Sequence, residues 1–404
     1  MSKPEGAEPL SALLSQFLVV YTIEVDNEFE LRMSREGYAG TRLSLVVWTN
    51  VLKFIPIDGI SPKDLASRSL SSTDRLKLIL GCLERWGFVT LKSNEADIAS
   101  VRVPMYSKVR REGWGSGRGI ALDSTVRLTN KGKLAAKIWP NIWAEVEESW
   151  KQRLGLGDYR RLHDELRDVA NLSEYELPEG LPGLGSVEEK ISFPSKGREP
   201  EESDIPLSVL ISRVLLMFAM EYNRRSRVSL ALCANVIRVL GTEPVNVGDL
   251  AALTGCSSEA SDIGWQLKPF VQLENNPDKK RGKVVRLSPL GLKVQHSYLK
   301  LTAEIEDEWE QKFGGEKING LRSTLQTLSN KKEGEELILA SGLIPPEGVA
   351  RAGATVPALG RRDVGVAARQ RIKDLVEQTQ RFLKGPKGSL PHYPLWDMNR
   401  GFGP

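Results

Sequence analysis

The sequence is poor in the residues that build metal and redox sites: its 404 residues include three cysteines and three histidines. Cys82, Cys233 and Cys256 stand far apart and form no C-x-x-C pair. This excludes a disulfide framework, gives no zinc-ligand spacing and fits a reducing cytoplasm. His163, His296 and His392 are equally scattered. No nucleophile motif, phosphate-binding loop or metal-ligand pattern accompanies them, so the sequence argues against an enzyme and implies no cofactor. Long apolar runs are also missing. The longest, Leu10 to Val25, is interrupted by Gln16 and Glu24 and is too short to span a bilayer. Met1 to Glu8 lacks the basic start of a secretory signal, so the expectation is a cytoplasmic chain. Charge of one sign is scarce, with a net of +4. Such a mild excess permits a nucleic-acid partner without arguing for one, because the position of the charge decides. Hydrophobic residues at 40% and charged residues at 27% describe a globular chain able to bury real cores.

What the sequence does contain is a repeat. PLSALLSQFLVVYTIEVDN from Pro9 matches PLSVLISRVLLMFAMEYNR from Pro206. Both carry apolar residues at i, i+3, i+4 and i+7, the stripe of an amphipathic helix, and both prolines suit a first turn. RLSLVVWTNVLKFIPIDGISPKDLA from Arg42 matches RVSLALCANVIRVLGTEPVNVGDLA from Arg227 without a gap. Asn50 and Asn235 coincide in this block, in an otherwise apolar helix, where a structural hydrogen bond is the default reading. VRLTNKGKLAAKIWPNIWAEVEESWKQRLG from Val126 matches VRLSPLGLKVQHSYLKLTAEIEDEWEQKFG from Val285, with Ala-Glu-x-Glu, Trp150/Trp309 and Gly155/Gly314 in register. Three blocks in one order are a specific signal of duplication.

Between the second and third blocks each copy reads as helix, turn, helix and two strands. In the first copy Ser61-Pro62-Lys63-Asp64 opens a short helix with a capping-box pattern. Ser69-Leu70 turns, and Ser71 to Asp74 opens a second helix that stops near Trp86-Gly87. Phe88 to Leu91 and Ser124 to Leu128 read as strands joined by a long polar stretch. In the second copy the short helix is expected over Asn246 to Leu253, the second helix over Ser257 to Lys268, and strands at Phe270 to Leu273 and Lys283 to Leu287. The basic run Asp278-Lys279-Lys280-Arg281 lies between those strands.

This order, closing on Val126-Arg127-Leu128-Thr129-Asn130-Lys131-Gly132 and Val285-Arg286-Leu287-Ser288-Pro289-Leu290-Gly291, resembles the MarR family of bacterial transcriptional regulators. The resemblance covers roughly residues 9–170 and 206–328. It implies a mainly α fold with small β-wings, in which two winged helix-turn-helix domains form an intramolecular pseudo-dimer. Double-stranded DNA is the implied partner, with a small-molecule effector as an option. Ser72, Thr73, Arg75 and Lys77 lie on the first turns of the recognition helix, where base edges and phosphates are met. Ser257, Ser258 and Ser261 are their counterparts in the second copy. Lys279, Lys280, Arg281 and Lys283 form one basic wing, and Lys108, Arg110, Arg111 and Arg118 sit in the long loop of the other. The alternative is a tandem winged-helix scaffold, a protein- or ligand-binding module without sequence-specific DNA binding. The acidic Glu259 and Asp262 in the second recognition helix favour it.

The domain reading is 1–173 for copy one, 174–205 for a Pro/Gly-rich linker, 206–330 for copy two and 331–404 for an extension with one helix, near Asp363 to Lys384. The apolar Leu390 to Trp396 is expected to pack back on the body. Each copy alone would leave its first apolar helix exposed, which is unfavourable in water. Residues 1–173 expressed alone are therefore expected to aggregate or self-associate and to melt below the whole chain. A monomeric fragment as stable as the whole chain, by light scattering and thermal melting, would contradict this.

Overall fold

The structure is a computed structural model and describes residues 8–38, 43–92, 120, 122, 124–182, 193–195, 205–254, 267–277, 282–333, 336–341 and 390–394. These residues are mainly helical, with small antiparallel sheets. The first half runs α1 (Leu10–Arg35), α2 (Leu45–Asn50), α3 (Pro62–Arg68), α4 (Thr73–Arg85), β1 (Val89–Lys92), β2 (Thr125–Leu128), α5 (Asn130–Leu154) and α6 (Leu156–Ala170). The second runs α7 (Leu207–Arg225), α8 (Leu230–Asn235), β3 (Val245–Asn246), α9 (Leu250–Thr254), β4 (Val271–Asn275), β5 (Lys283–Leu287), α10 (Pro289–Phe313) and α11 (Gly315–Asn330). A short α12 (Ile338–Ser341) follows a two-stranded ribbon.

No glycine or proline interrupts Leu10 to Arg35, so the apolar run continues as one long helix until Gly37 takes a left-handed φ of 85°. The expected one-sided stripe becomes a helix enclosed nearly all round, with Ser11, Ser15, Gln16 and Thr22 buried beside the leucines. The cause is the other half. α1 contacts α5 of its own half and also α7 and α11; α7 contacts α10, α1 and α6; α6 contacts α11. Exchanging α1 with α7, α5 with α10 and α6 with α11 maps this set of contacts onto itself.

The same exchange relates the polar groups at the centre. Pro9 and Pro206 occupy the N-cap positions of α1 and α7, and proline has no side-chain acceptor for the first helical amides. Each helix takes its acceptor from the opposite half. Leu10 N–H donates to Glu306 Oε1 of α10 at 2.7 Å, and Leu207 N–H donates to Glu147 Oε1 of α5 at 2.8 Å. These two glutamates are the second acids of the repeated Ala-Glu-x-Glu. A carboxylate at a helix N-terminus also meets the favourable end of the helix dipole. Around Glu306, which is 2% exposed, Arg322 supplies the countercharge and also donates to the carbonyl of Glu8 at 2.8 Å. At the equivalent place His163 contacts the carbonyl of Ile205 at 2.7 Å, and Tyr21 and Tyr159 donate to Glu147. Burial, with the Glu147 carboxylate alongside, pushes the Tyr21 hydroxyl well above its usual range, so it keeps its proton and donates.

Within each half the pattern recurs once more. Asp26 Oδ1 accepts the amide of Leu45 at 2.7 Å, and Asn223 Oδ1, its counterpart, accepts the amide of Leu230 at 2.9 Å. Trp150 and Trp309 are buried and meet Tyr21 and Phe218 at 5.3 and 5.4 Å between ring centroids. The long helices α5 and α10 end at glycines of positive φ, Gly155 (φ 83°) and Gly314 (φ 99°). This starts α6 and α11 in a new direction, which lets them cross the other half. Leu177, Leu181 and Phe193, inside the segment read as a linker, are buried. The helix expected near Asp363 to Lys384 lies outside the described residues.

Glu306→Ala strands the Arg322 charge and an α1 amide in the core and is expected to cost about 3–5 kcal/mol. Glu147→Ala loses hydrogen bonds from neutral donors and should cost less, about 1–3 kcal/mol. Urea titrations of the two variants check both the magnitudes and their order.

Candidate nucleic-acid interface

In the first half Ser61 caps α3 by accepting the amide of Asp64 at 3.0 Å, and its hydroxyl donates to the Asp64 carboxylate at 2.8 Å. Ser69-Leu70 then turns the chain, with Leu70 in the left-handed region at φ 50°, uncommon for a branched aliphatic residue. α4 buries Leu76, Ile79, Leu80 and Leu83. Ser72 occupies its N-cap position, but the Ser72 hydroxyl bonds no helix amide. Gly87 (φ 76°) ends the helix turn and sends Phe88 into β1.

β1 and β2 pair antiparallel from Val89–Leu128 to Lys92–Thr125, and Ile60, just before α3, bridges Val126. The second half repeats this with a full strand: Val245 of β3 pairs Val285, giving the order β3-β5-β4. Asn246 to Leu253, expected as one short helix, begins as strand and 3-10 turn before α9. The adjacent strand β5 recruits these backbone groups, and local helix propensity yields to that pairing.

The repeated V-R-L-T/S-x-x-G has a structural reason. Thr129 and Ser288 end the sheet and cap α5 and α10, accepting the amides of Gly132 and Gly291, each at 3.1 Å. Their own amides donate to the carbonyls of Phe88 and Phe270, each at 2.9 Å. The helix therefore starts against the backbone that leads into β1 or β4. A Cβ on Gly132 would lie 2.1 Å from the Phe88 carbonyl oxygen, and one on Gly291 2.0 Å from that of Phe270. Lys131 ties the same corner by donating to the Trp86 carbonyl at 2.9 Å.

Of the residues singled out by sequence, Ser72 is exposed at the start of α4, while Thr73 and Lys77 are half-buried along it. Arg75 belongs to α4, with its side chain outside the described residues. Lys283 is exposed at the first position of β5. Lys108, Arg110, Arg111, Arg118, Ser257, Ser258, Ser261, Lys279, Lys280 and Arg281 lie outside the described residues, as does Cys256. Leu267 and Lys268, expected at the end of the second recognition helix, are in a turn before β4.

Sequence reasoning passed over Lys63 and Arg68 on α3, Lys92 on β1 and Arg127 on β2, all exposed. The signal for Arg127 was present in the repeated V-R-L, which served only to set register. The strands of the two halves differ in charge. Arg127 stands opposite Thr90, whereas Arg286 of β5 pairs with Glu274 of β4 at 2.7 Å. The first half thus offers a positive strand face and the second a neutralised one. Among the described residues no group of three His, Cys, Asp or Glu could hold a metal ion. No described helix is long and apolar enough to cross a membrane. Cys82 and Cys233 are buried, and burial pushes the Cys233 thiol up to about 12, which leaves it protonated and unreactive.

Gly132→Ala and Gly291→Ala each force a methyl group into a backbone carbonyl and are expected to cost at least about 1–3 kcal/mol, as overpacking does. A thermal melt reads this, with Gly157→Ala in α6, where an added methyl group meets nothing within 4 Å, as the control without a clash. No protein-family model matches this chain, and no curated protein or solved structure is significantly similar to it.

Proposed function

We propose that the chain is a DNA-binding transcriptional regulator of the winged helix-turn-helix kind, resembling the MarR family, with both reading heads on one chain as a pseudo-dimer. The observation that carries this is the sheet order. A strand or bridge before the short helix pairs with the second wing strand, which pairs with the first: β3-β5-β4 in one half, Ile60–β2–β1 in the other. That order holds the helix pair α3–α4 against the sheet, with Ser72 exposed at the N-terminus of α4 and its hydroxyl making no cap bond. Helix N-termini and the cations of an adjoining strand suit phosphate oxygens, and the following turn suits base edges.

The heads are unlike, so the site they read is asymmetric. By sequence the first head would read with Ser72, Thr73, Arg75 and Lys77, and Arg127 and Lys92 lie on its strands. By sequence the second would read with Ser257, Ser258 and Ser261 and the basic residues Lys279, Lys280, Arg281 and Lys283. Asn50 and Asn235 each bond the chain's own backbone.

Replacing Lys279, Lys280 and Arg281 together by alanine should weaken binding to all duplexes. It should flatten the dependence of log K on log salt by about one per lost phosphate contact. Replacing Arg75 and Lys77 should change sequence preference, because base contacts specify. Fluorescence anisotropy on genomic fragments at two salt concentrations measures both. If the intact chain binds no duplex at low salt, the reading fails in favour of a tandem winged-helix scaffold.

A further inference from the structure

Asn50 and Asn235, matched in the repeat, each hold an irregular segment by a bond from the side-chain amide nitrogen. Asn50 Nδ2 donates to the carbonyl of Leu181 at 3.1 Å, and the next residue is Pro182. Asn235 Nδ2 donates to the carbonyl of Tyr393 at 2.8 Å, and the next residue is Pro394. Asn235 Oδ1 also accepts the Tyr393 amide at 3.1 Å, so one side-chain amide takes both backbone groups of that residue. The following proline has no amide to leave unpaired in the groove. Leu390 and Tyr393 are buried, Tyr393 completely. Ser15 of α1 donates to the Pro391 carbonyl at 2.8 Å, so the segment touches the first half as well. Burial, with the Arg238 guanidinium near, lowers the His392 pKa to about 3, and the segment docks with this ring neutral.

The two occupants differ in nearly every side chain, Glu179-Gly180-Leu181-Pro182 in one groove and Pro391-His392-Tyr393-Pro394 in the other. What they share is backbone capture by asparagine and the proline behind it. Main-chain hydrogen bonds that give affinity, with a pocket for a side chain that gives specificity, are a recurring way of binding peptides. The Leu181 segment is fastened on both sides, by the bridge between Tyr175 and Ser195 and by the Lys53–Glu179 ion pair. We propose that the Asn235 groove is a binding site for a short peptide of the type hydrophobic residue–Pro, held by its main chain, and that residues 390–394 are its releasable occupant in the same chain. Because Ser15 and Asn235 lie in different halves, occupancy straps the halves together and release loosens them.

The test uses the full chain and a fluorescent peptide of residues 388–397. Tyr393→Asp places a carboxylate where the ring was buried and should expel the strap without touching the groove. This variant should bind the peptide at least tenfold more tightly than the unaltered chain, in which the strap competes. Adding Asn235→Leu should remove that gain by about tenfold, the worth of two hydrogen bonds at roughly 0.7 kcal/mol each. Equal peptide binding by the unaltered and Tyr393→Asp chains, or a gain that survives Asn235→Leu, overturns the proposal. Hydrogen exchange in the unaltered chain decides the matter should Tyr393→Asp fail to fold. The Tyr393 amide should open well before the amides of α1 and α7, and exchange only through global unfolding would make the segment core and refute a strap.

Discussion

The structure depends on two carboxylates that cross between its halves. A helix that begins after proline has amides with no local acceptor, and here those amides are buried. Glu306 and Glu147 answer this from opposite directions, each reaching from the final long helix of one half to the first helix of the other. A buried carboxylate with a poor partner would be costly, so Arg322 and the tyrosines Tyr21 and Tyr159 complete the two sites. Neither half can satisfy its own α1 or α7. The hydrophobic enclosure of α1 and this polar exchange therefore require the same arrangement, and each would be lost with the other.

The same helices carry the constraint outward. α5 and α10 begin at Thr129 and Ser288, against the carbonyls of Phe88 and Phe270, and bear Glu147 and Glu306 farther along. One helix in each half thus joins a sheet to the interface between halves. The close approach that excludes a Cβ at Gly132 and Gly291 makes that joint stiff. A change in how the halves pack would be felt at the sheets through α5 and α10. The strap at Asn235 acts on the same interface from the side, through Ser15.

The repeat was legible because it constrains residues rather than composition. Pro9/Pro206, Asn50/Asn235, Ala-Glu-x-Glu and the V-R-L-T/S-x-x-G motif each recur because each makes one specific contact in both halves. Helix α4, its turn at Leu70 and its stop at Gly87 were readable from caps and glycines, since those signals are local. The start of α9 was not, because β5 supplies hydrogen bonds that no local pattern announces. The exposed Arg127 and Lys92 were passed over because strand pairing, not spacing along the chain, brings them onto one face.

The sequence by itself determined the duplication, the helical periods, the caps and the absence of cysteine and histidine clusters, because these follow from residues near one another in the chain. Only the tertiary structure decided which half each glutamate serves and why α1 is buried all round. It also decided where residues 177–182 and 390–394 come to rest. Leu10 and Glu306 are 296 positions apart, and Asn235 and Tyr393 are 158 apart. Contacts over such separations are set by how the two copies fold against each other, and no local preference encodes them.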